Sequence, residues 1–195
     1  MSRVLLATRN SGKVAELQRI LAPYGMSLEG ASYEPGPETG ASFADNALAK
    51  AREGVAETGL PSVADDSGLA VDALNGMPGI LSARWAGRHG DDLANLQLVL
   101  GQLSDVPDSR RGAAFVCAAA YALPDGRSEV VLGELRGTLI REPRGSNGFG
   151  YDPIFVPLGY VVTSAELSPE EKDAISHRGQ AFRALAPLLA AALPA

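Results

Sequence analysis

The stretch RVLLATRNSGKVAELQRIL, residues 3–21, decides the fold class of this 195-residue chain. Residues 4–7 are apolar and lead into polar turn residues, which predicts a short buried strand over residues 3–7. Residues 8–11 are predicted to form a loop, and residues 12–21 a helix. The helix is indicated by apolar residues at helical spacing, at Val14, Leu17, Ile20 and Leu21. An opening of strand, loop and helix is typical of an α/β fold.

A second helix is predicted over residues 42–58. Ser42 would cap its start, with Asp45 three residues later, and Gly59 would end it. The preceding segment, residues 34–40, holds two prolines and two glycines and is predicted to be a loop.

Strand patterns follow this helix. Residues 62–65 predict a buried strand, residues 66–68 a turn, and residues 69–71 a short extended segment. Residues 113–123 and 128–139 flank the turn sequence Pro-Asp-Gly, which predicts a long β-hairpin.

The remaining segments complete a mixed central sheet flanked by helices. Residues 91–104 predict a helix, residues 144–152 a glycine-rich loop, and residues 154–156 a short strand. Residues 168–171, Ser-Pro-Glu-Glu, form a capping box, and residues 179–193 predict the last helix, after a break near residue 176.

The composition of the chain limits which binding partners and which cellular compartment are expected. The net charge of −6 argues against a nucleic-acid polymer as a partner, because phosphate backbones require a basic surface. The single cysteine, Cys117, lies in an apolar run and is predicted to be buried and inert. No stretch approaches the roughly 20 apolar residues of a membrane span. The apolar run within the first ten residues is too short for a signal peptide. We therefore expect no membrane partner and a cytoplasmic protein.

Two motifs suit phosphate and metal chemistry. TRNSGK, residues 8–13, places small polar donors and Lys13 at a helix start, which favours phosphate binding, although an ordinary capped helix start has the same pattern. ADDSG, residues 64–68, with Glu38 upstream, supplies carboxylates of the kind that bind Mg²⁺. A solvated turn is the alternative interpretation of ADDSG.

Two further motifs suit recognition of a flat ring. GSNGFGYDP, residues 145–153, surrounds Phe149 and Tyr151 with glycines, so that either aromatic could stack on a base or could pack inward. EEKDAISHRGQA, residues 170–181, gathers three donors in seven residues, and a solvated helix face is its alternative interpretation. These donors are Lys172, His177 and Arg178.

Taken together, these motifs resemble one family, the inosine triphosphate pyrophosphatases, also called non-standard purine nucleoside triphosphatases. The resemblance runs along essentially the whole chain. It rests on VLLATRNSGKVAEL, ETGASFADNALAKA, ADDSGLAVDALNGMPGILSAR, GFGYDPIF and EEKDAISHRGQA, in that order.

The resemblance implies a role for each matching position. Asp66 would be the proton acceptor that activates water and, with Glu38, would bind Mg²⁺. Lys50 would reach the phosphates, and Arg84 would be a further phosphate contact. The implied substrate contacts are Thr8, Arg9, Asn10, Ser11, Gly12, Lys13, Lys50, Ser67, Arg84, Phe149, Gly150, Tyr151, Asp152, Lys172, His177 and Arg178.

The same resemblance implies one catalytic domain over residues 1–195, elongated and two-lobed with a central cleft, that assembles as a homodimer. It implies hydrolysis of ITP, dITP and XTP to the monophosphate and pyrophosphate. Two alternatives stay open: a pyrophosphatase for another nucleotide class, and a nucleotide-binding sensor without turnover. Glu38 and Asp66 argue against the sensor, because a sensor needs phosphate donors but no water-activating acid.

Overall fold

Six strands and five α-helices make up the fold within residues 2–8 and 11–193, the part of the chain that the computed structural model describes. The strands are β1 (Ser2–Leu6), β2 (Met26–Gly30), β3 (Ser62–Val71), β4 (Gly112–Ala122), β5 (Ser128–Leu139) and β6 (Phe155–Pro157). The helices are α1 (Ser11–Leu21), α2 (Phe43–Thr58), α3 (Asp92–Gln102), α4 (Pro169–Ile175) and α5 (His177–Ala192).

The strands form one sheet in the order β2-β1-β3-β4-β5-β6. Strand β1 runs parallel to both β2 and β3, with Val4 opposite Leu28 and Leu6 opposite Val63. Strand β6 runs antiparallel to β5. The sheet is therefore mixed, and the predicted fold class is confirmed.

Local signals set the helix ends as expected. The Ser42 hydroxyl oxygen accepts a hydrogen bond from the Asp45 backbone N–H at 3.1 Å, and Gly59 ends α2 in the left-handed conformation, with φ 69°. Ser168 and Glu171 form both bonds of the predicted capping box at the start of α4. Ser176 has extended backbone between α4 and α5, which confirms the predicted break.

Three predictions at this level were incomplete or wrong. The predicted turn at residues 66–68 does not form, because Ser62–Val71 is one continuous strand. Tertiary partners satisfy the Asp65 and Asp66 carboxylates, so the turn-forming composition of this segment is overridden. Strand β2 was not predicted, and α5 begins at His177, two residues earlier than expected.

The chain groups into two compact units. The first unit comprises Met1–Asp66, Cys117–Gly133 and Arg178–Ala195, and the second comprises Ser67–Val116 and Glu134–His177. None of the described helices is long and apolar enough to span a membrane.

The first unit packs helices against alternating positions of its strands. One apolar cluster includes Val63 with α5 residues such as Phe182 and Leu185. A second cluster includes Ala64 with the α2 residues Ala47 and Ala51. Because successive strand residues point to opposite faces, α5 and α2 cover opposite faces of β3.

The second unit has a core of its own. Residues of β3, α3, β4, β5 and β6, with residues that follow α3 and precede β6, form one buried apolar cluster. It comprises Leu69, Val71, Leu96, Val99, Leu103, Ala113, Phe115, Leu139, Tyr151, Ile154 and Phe155.

Candidate active site

Strand β3 carries two adjacent buried acids that point to opposite faces. Asp65 lies on the face covered by α5, and its Oδ2 accepts a hydrogen bond from Arg178 Nε at 3.1 Å. Asp66 lies on the face covered by α2, and its Oδ2 accepts a hydrogen bond from Asn46 Nδ2 at 2.9 Å. The alternation of a strand thus gives two neighbouring carboxylates different partners.

Helix α2 and the loop before it bring a lysine to Asp66. Lys50 Nζ donates to Glu38 Oε1 at 2.8 Å and lies 3.6 Å from Asp66 Oδ1. The Lys50 side chain is only 14% exposed, so its charge is held between two acids with little access to solvent. We call Glu38, Asn46, Lys50 and Asp66 the acid–lysine cluster.

Sequence analysis missed Asn46, the fourth member of this cluster. Asn46 lies four residues before Lys50 on α2, so both side chains project from the same helix face. Its Oδ1 accepts a hydrogen bond from the Gly40 backbone N–H at 2.7 Å. The signal that could have found it is a polar residue among the small apolar residues of a predicted buried helix face.

The buried charges shift one another's pKa. Burial raises the pKa of Asp66. The nearby Lys50 ammonium and the Asn46 amide lower this pKa, but they offset only part of the effect of burial. Burial lowers the pKa of Lys50, but the carboxylates of Asp66, Asp65 and Glu38 more than offset this, so the net pKa is raised. Lys50 therefore stays charged at neutral pH.

The acid–lysine cluster has the donor chemistry of a magnesium site. Mg²⁺ is usually bound through one or two carboxylates, with substrate phosphates and water completing its shell. Glu38 and Asp66 supply two carboxylates that already flank one cation, the Lys50 ammonium. Within residues 2–8 and 11–193, no group of three or more His, Cys, Asp or Glu side chains is placed to hold a metal ion. The residues present fit a metal that is shared with a phosphate ligand.

A second polar group lies in the second unit, around the glycine-rich loop. Lys172 on α4 donates to Asp152 Oδ2, and the Phe149 backbone N–H donates to the same oxygen at 2.8 Å. Lys172 Nζ also lies 5.1 Å from the centroid of the Phe149 ring. The Phe149 residue is 62% exposed. We call Phe149, Asp152 and Lys172 the loop cluster.

A glycine permits this loop geometry. Gly148 has a φ of 75°, and a Cβ there would lie 2.1 Å from Asp152 Oδ2 and 3.0 Å from Lys172 Nζ. A side chain at residue 148 would therefore displace the carboxylate that ties Phe149 to Lys172.

The structure distinguishes the two aromatic candidates of this loop. Tyr151 is buried in the core of the second unit, and its hydroxyl donates to the Ser82 carbonyl at 2.8 Å. Phe149 is the one with an exposed ring. The Gly150 backbone N–H donates to Asp92 Oδ2 at 2.9 Å.

The three donors of the tail motif contact different residues. Lys172 is bound to Asp152, and Arg178 is paired with Asp65 in the first unit. The His177 ring stacks on Phe115 with centroids 5.1 Å apart and planes 16° apart. The break at Ser176 occurs as predicted.

The remaining predicted contacts are placed as follows. Thr8 follows β1 and is half-buried. Ser67 in β3 and Arg84 at the end of the 3-10 helix Gly79–Arg84 are also half-buried. Arg9 and Asn10 lie outside the described residues. Ser11, Gly12 and Lys13 are described only as part of the backbone of α1.

Comparison with known proteins agrees with these motifs along nearly the whole chain. The model of the Ham1 family matches residues 4–188. A dITP/XTP pyrophosphatase of Mycobacteroides abscessus is 62% identical over 194 residues, covering 96% of this chain and 94% of the relative. A dITP/XTP pyrophosphatase of Nocardia farcinica is 61% identical over 198 residues, covering 98% of this chain and 96% of the relative.

A solved structure is similar to this chain in fold as well as in sequence. The structure of a HAM1 protein from Coxiella burnetii has a TM-score of 0.90 and 43% identity to this chain. The match covers 97% of this chain and 98% of that one. The chain belongs to the Ham1 family.

Proposed function

We propose that this protein hydrolyses the non-standard purine nucleoside triphosphates ITP, dITP and XTP to the monophosphate and pyrophosphate. The observation that carries the proposal is the acid–lysine cluster, in which a buried, charged Lys50 lies between Glu38 and Asp66. Relatives about 60% identical to this chain are named dITP/XTP pyrophosphatases, and this supports the choice of substrate.

Phosphate binding falls to the first unit. A nucleoside triphosphate carries about four negative charges, so its site needs full cations and backbone donors. Lys50 supplies one cation, and we assign the backbone N–H groups at the start of α1 to the phosphates, because helix N-termini favour anions. We assign Thr8 and residues 9–13 to the same task.

Water activation falls to Asp66. Glu38 and Asp66 are the residues that would hold Mg²⁺, which when bound neutralises phosphate oxygens and the pyrophosphate leaving group. Asp66 accepts the proton of the water that attacks the α-phosphorus, and the bond to the bridging oxygen breaks as pyrophosphate leaves.

Base recognition falls to the loop cluster and its neighbours. The exposed Phe149 ring offers a stacking surface, and Lys172 beside it offers a donor for an oxygen at position 6 of the purine. Adenine carries an amino group at that position, so the same donor would be left unpaired, which disfavours ATP. The other candidate donors are His177 and the backbone N–H groups of Gly148 and Tyr151, since those of Phe149 and Gly150 already donate to Asp152 and Asp92.

A coupled assay tests the proposal. Pyrophosphate released from ITP, XTP, dITP, GTP, ATP and a pyrimidine triphosphate is converted to phosphate by an added pyrophosphatase and measured. We expect ITP and XTP to have kcat/KM far above ATP and clearly above GTP. A preference for another triphosphate would support the other nucleotide class, and binding of ITP without any release would support the sensor.

We also propose a homodimer that acts in the cytoplasm, on the basis of the family resemblance. Closed two-fold dimers are the commonest assembly of soluble proteins. Sedimentation of the purified protein is expected to give twice the chain mass of 20.2 kDa. A monomer at every concentration tested contradicts the dimer.

A further inference from the structure

Asn46 makes two side-chain hydrogen bonds from a buried position. The residue is 2% exposed, and its Oδ1 accepts from the Gly40 N–H at 2.7 Å while its Nδ2 donates to Asp66 Oδ2 at 2.9 Å. One amide thus joins the loop that carries Glu38 to the carboxylate of Asp66.

The orientation of this amide is fixed by its partners. A backbone N–H can only donate, so the oxygen of the amide must face Gly40 and its nitrogen must face Asp66. Close approach at Gly40 requires the absence of a side chain, because a Cβ there would lie 2.6 Å from Asn46 Oδ1. The amide cannot rotate without losing both bonds.

We propose that Asn46 is a positioning residue that sets the separation and orientation of Glu38 and Asp66 around Lys50. This inference rests on the proposed function, because the positions of the two acids matter to turnover only if they act on a triphosphate. Groups that orient metal-binding or catalytic carboxylates typically contribute about 10- to 100-fold in activity or metal affinity.

The chain offers a matched control in the second unit. Asn95 on α3 is 1% exposed, and its Oδ1 accepts the Ala86 backbone N–H at 2.7 Å. Its Nδ2 is buried with no hydrogen-bond partner among the described residues. Replacement of either asparagine by aspartate keeps the shape and the backbone acceptor, but only Asn46→Asp brings a carboxylate against Asp66.

The first arm of the test compares Asn46→Asp with Asn95→Asp in ITP turnover. We expect kcat of Asn46→Asp to fall about 10- to 100-fold with a change in KM of less than about threefold. Asn95→Asp is expected to keep kcat within about twofold of the unmodified protein. Unchanged kcat in folded Asn46→Asp, or equal losses in both variants, overturns the inference.

The second arm needs neither substrate nor metal. Hydrogen exchange of the backbone in residues 36–41 is expected to be faster in Asn46→Ala than in the unmodified protein, and unchanged in Asn95→Ala. Unchanged exchange in Asn46→Ala overturns the inference. If the unmodified protein releases no pyrophosphate from any triphosphate, the proposed function fails, and this arm alone decides whether Asn46 holds the Glu38 loop.

A third pair of variants covers the case in which the Asn46 variants do not fold. Gly40→Ala removes no buried polar group, but its Cβ would lie 2.6 Å from Asn46 Oδ1, 2.8 Å from Asp45 Cβ and 3.0 Å from the Asn46 backbone nitrogen. Gly36→Ala is its control, since the Cβ there would meet only the end of the flexible Glu53 side chain, at 3.1 Å. We expect kcat to fall in Gly40→Ala and not in Gly36→Ala, and equal kcat in the two overturns the inference.

Discussion

The acid–lysine cluster and the loop cluster both hold a lysine against a carboxylate, but they surround it differently. Lys50 lies between two acids and is 14% exposed, whereas Lys172 has Asp152 on one side and the exposed ring of Phe149 near it. The acid–lysine cluster is carried by α2, β3 and one loop residue. The loop cluster depends on a glycine-rich segment and one short helix.

This difference shows how the two clusters divide the chemistry that the proposed function requires. Two acids around a buried cation suit phosphate and metal, where charge matters more than shape. One acid, one cation and an exposed aromatic face suit a flat polar ring, where stacking and donor placement matter. Variants that affect turnover should therefore lie in the first cluster, and variants that affect base choice in the second.

The largest expected effect is the loss of turnover in Asp66→Asn. A positioned proton acceptor typically contributes about 10²–10⁴ in rate, so kcat should fall by that order while the fold is retained. Asp152→Asn, the matching change in the loop cluster, is expected to raise KM and leave most of kcat. Steady-state kinetics with ITP on both variants measure this, with circular dichroism as the check on folding. Near-normal kcat in folded Asp66→Asn contradicts the assignment of Asp66.

A large loss of stability is expected in Asp65→Asn. Asp65 and Arg178 have side chains 3% and 9% exposed, and removal of one partner of a buried pair typically costs about 3–5 kcal/mol. The exposed pair Asp72–Arg136, with side chains 52% and 47% exposed, is the control, and Asp72→Asn should cost about 1 kcal/mol or less. Urea denaturation of both variants measures the free energy of unfolding. Equal losses contradict a stabilising role for the buried pair.

The two lysines should separate phosphate binding from base binding. Lys50→Met is expected to weaken ITP binding by about 10- to 100-fold and IMP binding much less, since a charge-assisted bond to the lost phosphates is worth about 1.5–3 kcal/mol. Lys172→Met is expected to weaken the binding of ITP and of IMP by similar factors, because both nucleotides carry the base. Isothermal titration of each variant with both nucleotides measures this. If Lys50→Met weakens the binding of both nucleotides alike and Lys172→Met weakens mainly ITP binding, the phosphate and base assignments of the two clusters must be exchanged.

The smallest expected effect is that of Phe149→Leu. Loss of aromatic stacking is worth about 0.5–1.5 kcal/mol, so KM for ITP should rise about two- to twelvefold with kcat nearly unchanged. Stability should not change, because the residue is 62% exposed. Kinetics with ITP and XTP measure the effect, and an unchanged KM for both removes Phe149 from the base site.

Regular elements with local signals could be predicted from the sequence. The Ser42 cap, the end of α2 at Gly59 and the capping box at Ser168 depend on residues within one turn of each other, and all three occur as expected. The approach of Lys50 to Asp66 could not be predicted from local signals, because it depends on how α2 packs on β3.

Contacts between distant residues could not be predicted. Asp-Asp-Ser-Gly favours a turn locally, yet Asp65 and Asp66 remain in a strand because Arg178 and Asn46 satisfy them from far along the chain. A single sequence also could not say whether Phe149 or Tyr151 is buried. That choice depends on the Ser82 carbonyl, which lies 69 residues away from Tyr151.

The pairing of Asp65 with Arg178 has a consequence for the order in which the protein can form. The first unit draws on three separate stretches of chain, and α5 supplies both Arg178 and part of the apolar cluster against β3. During synthesis, β3 therefore emerges before α5. The Asp65 carboxylate and the apolar face of β3 stay exposed until residues 177–192 have been made. Such long-range closure slows folding and leaves an interval in which the nascent chain can associate with other chains.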